Sequence, residues 1–232
     1  MLPLKDTVRG RSFPVLTWAI VILNAIVFLY MLSLSPGGLN RFTLSFGLVP
    51  AWIDWSNPIS LYPFFTSMFL HGGWIHILSN MWILVIFGDN VEDRIGSGRF
   101  FVFYILGGLV AGLLQYAVQP SSTIPSIGAS GAIAAVLGAY FFYFPKARVL
   151  TLIPIFIIPW IVEIPAVTYL GFWFVTQLFS GVLSITSARG VEAGGIAWWA
   201  HIGGFIFGVL LAYPFSLRRR QPRNYPDQYW PW

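Results

Sequence analysis

The chain has 232 residues, 57% of them apolar and only 9% charged, with a mean hydropathy of +0.74; soluble domains carry about 25% charged residues, so a water-soluble globule is excluded and a polytopic membrane protein is expected. The formal charge of +5 does not point to nucleic acid, because the basic residues are scattered between apolar runs and at the termini, as membrane topology demands. With no cysteine, disulfides, thiolate metal sites and a cysteine nucleophile are excluded, and any covalent chemistry needs another nucleophile.

Residues 1–15 form an N-terminal segment with Lys5, Arg9 and Arg11 ahead of an apolar run, 16–34. That run is longer than the roughly 7–15 residues of a cleavable signal's apolar region, and is expected to stay as a first span. A bilayer core of about 30 Å needs about 20 apolar residues. Six stretches qualify: 16–34, 68–87, 100–118, 127–144, 164–183 and 196–217, none containing Asp, Glu, Lys or Arg. The connection 35–67 holds Trp52, Trp55 and Tyr62 and is expected to form short helices in the headgroup region. The run from Gly88 to Arg94 reads as a charged turn that caps and packs. A seventh apolar stretch, 149–162, is interrupted by Pro154 and Pro159 and suits an interfacial hairpin or re-entrant loop.

Charge sets the topology. With six spans, Lys5, Arg9, Arg11, Arg94, Arg99, Lys146, Arg148, Arg218, Arg219, Arg220 and Arg223 fall on one side and only Arg41 and Arg189 on the other. That asymmetry puts both termini in the cytoplasm. The expectation is an all-α, six-span bundle over 16–217 with a cytoplasmic tail, 218–232, whose Tyr229, Trp230 and Trp232 rest at the inner interface. A multi-pass protein of a prokaryotic plasma membrane is the expected setting.

On this topology the second, fourth and sixth spans start at the outer face. Ser130, in Gly128-Ala129-Ser130-Gly131, and His201 then sit roughly 5–8 Å below it at helical rise. His76 and Asn80 lie in the outer half of the second span, four apart and so on one face, with His71 about 140° away. Ser130 shares a face with Ala134 and Gly138, and His201 with Gly204 and Gly208, so the two helices offer grooves that allow close approach. A lone serine ordinarily bonds to a backbone carbonyl, and Asn24, Gln115 and Gln177 read as interhelical hydrogen-bonding groups. Four polar residues from three spans at one depth are harder to explain structurally, and intramembrane histidines default to function.

The residues His71-Gly72-Gly73-Trp74-Ile75-His76 with Asn80, then Gly88-Asp89-Asn90-Val91-Glu92, then Gly128-Ala129-Ser130-Gly131, then Ala200-His201-Ile202-Gly203-Gly204 with Gly208 resemble, in this order, the rhomboid intramembrane serine proteases. The resemblance covers about residues 60–213. It implies Ser130 as nucleophile, His201 as its base, and His76 and Asn80 as side chains around the oxyanion. Many members carry an aromatic four residues after the serine, against the histidine ring; here that position is Ala134, and Trp198 or Trp199 is the candidate replacement.

The chemistry expected is a Ser–His dyad. His201 takes the Ser130 proton and passes it to the leaving amine, while the Ser130 backbone N–H at a helix start, His76 and Asn80 face the oxyanion. Among carboxylates only Asp54 and Glu192, in outer loops, are placed to approach. Ser122, Thr123 and Ser126 are expected to hydrate the site and 184–195 to cap it. Substrates implied by the resemblance are single-span membrane proteins, with no cofactor, metal or nucleic acid. A transporter would want inverted repeats, which the two halves lack; a zinc protease would want a carboxylate beside its histidines; a non-catalytic, client-binding relative would lack the nucleophile or base.

Overall fold

The computed structural model describes residues 1–155, 158–186 and 196–216. The expected cap residues Arg189, Gly190, Glu192, Gly194 and Gly195, and the tail 218–232, lie outside these. In chain order the elements are β1 (Leu2–Asp6), α1 (Val15–Ser33), α2 (Pro36–Phe46), α3 (Pro63–Thr66), α4 (Trp74–Ile95), α5 (Ser97–Val118), α6 (Ser130–Tyr143), β2 (Arg148–Ile155), β3 (Ile158–Pro165), α7 (Ala166–Thr186) and α8 (Trp198–Ser216).

Among the described residues five helices, α1, α4, α5, α7 and α8, are long and apolar enough to cross a membrane. The fourth expected span is shorter than its apolar run. Only 14 residues are helical, about 21 Å at helical rise against a core of about 30 Å. The chain from Gln119 to Ala129 is held instead by backbone bonds to the connection before α4: Leu48 and Ser126 exchange both N–H···O bonds, Ala51 N–H donates to Ser122, and Gly128 N–H to Ser67. Every residue of α6 from Gly131 to Tyr140 is buried, so α6 is the central post and the longer helices surround it. Glycines set the spacing. A Cβ at Gly204 would fall on the carbonyl oxygen of Gly131, one at Gly208 on that of Ala135, and one at Gly138 on that of Phe205. These pairs run α6 and α8 side by side in the same direction, at the backbone-to-backbone separation that small residues permit.

The expected charged turn at Gly88–Arg94 is instead the last part of α4, which ends only at Gly96, φ +86°. Its polar side chains bind rather than turn. Glu92, buried, accepts from the N–H groups of Leu16 and Thr17, the Thr17 hydroxyl and the Ser97 hydroxyl at 2.6–2.9 Å. The start of α1, which has no cap of its own, is thereby satisfied by a carboxylate from another helix, on the side the helix dipole favours.

The all-α expectation needs one correction. β1, β2 and β3 form a three-stranded antiparallel sheet, with Leu2 opposite Leu152 and Arg148 opposite Pro165. The hairpin read from Pro154 and Pro159 is present, and the two prolines face each other across it, which puts both of their missing N–H donors on one rung. β1 comes from the N-terminal segment. It is anchored by Trp82 Nε1, which donates to the Pro3 carbonyl, and by Asp6, which accepts from Tyr140 and Asn90. The connection before α4 does form short helices, α2 and α3 with three 3-10 turns. Its aromatics interlock: Trp55 donates to Tyr116, and Tyr62 to the Ser45 carbonyl.

Candidate active site

Ser130 opens α6. The first helical bond there runs from Ile133 N–H to the Ala129 carbonyl, so the N–H groups of residues 130–132 project from the helix end, where the dipole is positive. His201 stands one turn into α8. The glycine seam brings the two side chains together, with His201 Nε2 2.8 Å from Ser130 Oγ.

The other ring nitrogen, Nδ1, is 2.8 Å from Gln177 Oε1 on α7. The Gln177 amide group points the other way, donating to the Trp173 carbonyl and the Thr176 hydroxyl. Its carbonyl oxygen therefore faces the ring, which must present Nδ1–H to it and leave Nε2 as the acceptor for the Ser130 hydroxyl. Trp173 lies against the same ring at a centroid distance of 5.9 Å, and Trp198 meets it edge-on at 6.2 Å. Of the two tryptophans considered from sequence, Trp198 touches the ring. Trp173 was not considered, and its contact fills the role expected of an aromatic at position 134.

His76 faces the Ser130 end from α4. Gly72 N–H donates to His76 Nδ1 at 3.3 Å, which assigns the ring proton to Nε2. That nitrogen lies against Gly128, where a Cβ would approach it to 2.7 Å and stand 3.7 Å from Ser130 Oγ. Gly128 also has φ +127°, so glycine is required there twice over, for conformation and for space. Asn80 is buried one turn deeper, its amide donating to the His76 carbonyl at 2.7 Å. His71 is not turned away as helical spacing implied. It precedes the helix, and its ring meets that of His76 edge-on at 5.0 Å.

Beside Ser130 lies a cavity of about 30 Å³ lined in part by Ser67, Gln115, Ser126 and Gly128, room for about two waters at ~10–15 Å³ each. Ser126 was expected there; Ser122 and Thr123 do not line it, and Ser67 and Gln115 do. Gln115 donates to Gln119, the residue just past the end of its own helix, and its buried Oε1 has no partner among the described residues. Asn24 likewise bonds within its own helix, to Ile20. Of the three amides read as interhelical from sequence, only Gln177 reaches another helix. Asp54, an expected approach, is occupied with Ser56 in an exposed turn.

Membrane-length helices packed round a buried post, with a Ser–His hydrogen bond at one end, define a polytopic membrane protein with an internal polar site. A family model described as a Rhomboid domain matches residues 58–218, and the chain belongs to the rhomboid family, which includes intramembrane serine proteases acting on membrane proteins. It is 29% identical over 181 residues to presenilin-associated rhomboid-like protein A, mitochondrial, of Danio rerio, covering 72% of this chain and 42% of that protein. It is 29% identical to rhomboid protein 1, mitochondrial, of Saccharomyces cerevisiae over 65% of this chain and 40% of that one. Over a shorter stretch, 36% of this chain and 26% of the relative, it is 37% identical to rhomboid-like protein 11, chloroplastic, of Arabidopsis thaliana. The chain thus spans well under half the length of these curated relatives. Their names place them in mitochondria and chloroplasts and lend no support to the plasma membrane expected from sequence.

Proposed function

We propose that this chain is an intramembrane serine endopeptidase that cuts single-span membrane proteins near one bilayer face. The observation that carries the reading is the 2.8 Å contact between Ser130 Oγ and His201 Nε2, in a ring whose other nitrogen is committed to a carbonyl acceptor. A serine hydroxyl becomes a useful nucleophile only when a base takes its proton as the bond to carbon forms. His201 takes that proton, then delivers it to the amine of the departing fragment, freeing the Ser130 ester for hydrolysis. Water from the adjacent cavity, hydrogen-bonded to Gln115 Oε1, attacks the ester with His201 again as base.

The oxyanion forms beside the start of α6. The Ser130 N–H and the Nε2–H of His76 are its donors, and Asn80 completes the set through its second amide hydrogen; each such donor commonly contributes about 10²–10³ in rate. A substrate helix hides its carbonyls in its own hydrogen bonds, so the scissile segment has to unwind before it reaches Ser130.

The topology we infer has six membrane segments, α6 being the short central one, with both termini in the cytoplasm as the charge asymmetry favours. The site then opens to the opposite face. The test is incubation of purified protein with tagged single-span substrates, with the cut located by mass spectrometry. Ser130→Ala and His201→Ala should each abolish cleavage while leaving the melting temperature nearly unchanged. Cleavage that survives Ser130→Ala would refute the mechanism.

A further inference from the structure

Gln177 sits on α7 between two groups that fix it. Its amide nitrogen donates to the Trp173 carbonyl, 3.2 Å, and the Thr176 hydroxyl, 3.1 Å. Its oxygen is left facing His201 Nδ1 at 2.8 Å, and the side chain is buried. The Thr176 hydroxyl in turn donates to the Trp173 carbonyl at 2.6 Å. This triangle of hydrogen bonds within one helical turn fixes the amide, because a flip would set its oxygen against the Trp173 carbonyl, acceptor facing acceptor, and lose the donor that carbonyl now receives.

An amide oxygen accepts and never donates. It therefore selects the His201 tautomer with the proton on Nδ1 and the lone pair on Nε2, the only neutral form able to receive the Ser130 proton. The same oxygen faces the positive charge that appears on the ring once that proton has moved. A carboxylate here would do so more strongly, but at the cost of holding a charge in a membrane span. Gln177 and Trp173 are four apart, on one face of α7. That face thus supplies both the acceptor for Nδ1 and the aromatic against the ring, on a chain whose position 134 is alanine.

We propose that Gln177 is a positioning residue for the reaction: it sets the tautomer and orientation of His201, as the third member of a Ser130–His201–Gln177 relay that is neutral before the proton moves. The proposal rests on the reading of Ser130 as nucleophile and His201 as base, and its test separates the two. With only three histidines in the chain, ¹⁵N-histidine labelling of the 232-residue chain in detergent, assigned with His201→Asn, reports the ring tautomer without turnover. Wild-type His201 is expected to carry its proton on Nδ1, and Gln177→Leu to give a mixture of tautomers.

Alongside, the rate at which a fluorophosphonate labels Ser130 should fall roughly 10- to 100-fold in Gln177→Leu, with melting little changed. Gln177→Glu keeps the shape and the acceptor. It should restore labelling while moving the rising limb of the pH–rate profile up by about one unit or more, since a carboxylate beside the ring favours its protonated form and a higher pH is then needed to free the base. If Gln177→Leu does not fold, Gln177→Glu carries the test by itself, and an unshifted profile overturns the proposal. A Gln177→Leu protein with the wild-type tautomer and the wild-type labelling rate also overturns it, while the serine hydrolase reading stands. Wild-type protein that shows the Nδ1 proton but is not labelled at any pH overturns both, reducing the contact to a structural hydrogen bond.

Discussion

His201 has two ring nitrogens, and the protein gives them opposite neighbours: a hydroxyl that donates, on Ser130, and a carbonyl that accepts, on Gln177. The serine and the histidine were legible in the sequence because polar groups are scarce in apolar runs, and these two fall on faces otherwise made of glycine and alanine. Gln177 was read only as an interhelical hydrogen-bonding group, on a par with Asn24 and Gln115; it does reach another helix, whereas those two bond locally, and nothing in a lone amide's residue type separates the two cases. Its signal was nonetheless present: Trp173, Gln177 and Gly181 recur at four-residue spacing on one face, and Gly181 is where Ile202 and Trp199 of α8 approach. His71 was misjudged for a different reason. Helical spacing was applied across Gly72-Gly73, where no helix exists. Asn80 belongs to the proposed oxyanion set through one free amide hydrogen, the other being held by the His76 carbonyl. Asn80→Ala should therefore lower turnover about 10- to 100-fold, below the full effect of a dedicated donor, while fluorophosphonate still labels Ser130. Undiminished turnover would remove Asn80 from that role.

Among the elements, the pairing of α6 with α8 decides whether the site exists at all. A valine at Gly204 would drive its Cβ into the Gly131 carbonyl and to 3.1 Å from the Ala134 side chain. Backbone cannot yield as a flexible side chain can, so the helices must separate, and overpacking of this kind costs about 1–3 kcal/mol. Gly204→Val is expected to lower the melting temperature and to abolish labelling of Ser130; a variant that melts lower yet labels at the wild-type rate would show that the seam does not position the pair. The long helices were readable from hydropathy within a few residues, except α4, expected at 68–87 and found at Trp74–Ile95. The sheet was readable only in its hairpin half. β1 carries Lys5 and Asp6 in five residues and has no apolar alternation of its own; it is a strand because β2 offers an unpaired edge and α4 and α6 supply Trp82 and Tyr140 as anchors. The end of α4 was read as a turn because it is dense in charge, and it is helix instead; the capping expected of it is present, since Glu92 is spent on the open end of α1.

Across the whole molecule, three features converge on one end of the bundle. The helices α4, α6 and α8 bring His76, Ser130 and His201 together there. The long connection before α4 clamps the segment leading to Ser130, and a small polar cavity adjoins the serine. The opposite end holds the sheet and the buried carboxylates Glu92 and Asp93, and it is the cytoplasmic end in the topology we propose. Reporter fusions at both termini should report the same, cytoplasmic side, and a fusion after Gln119 the other; termini found on opposite sides would rule out the six-segment arrangement. The most direct test of the account is mass spectrometry of the detergent-solubilised protein after reaction with a fluorophosphonate. A single adduct on the peptide containing Ser130, absent from His201→Ala, is the predicted result; no adduct on wild-type protein, or one elsewhere that persists in Ser130→Ala, would contradict the claim that this hydroxyl is activated by that ring.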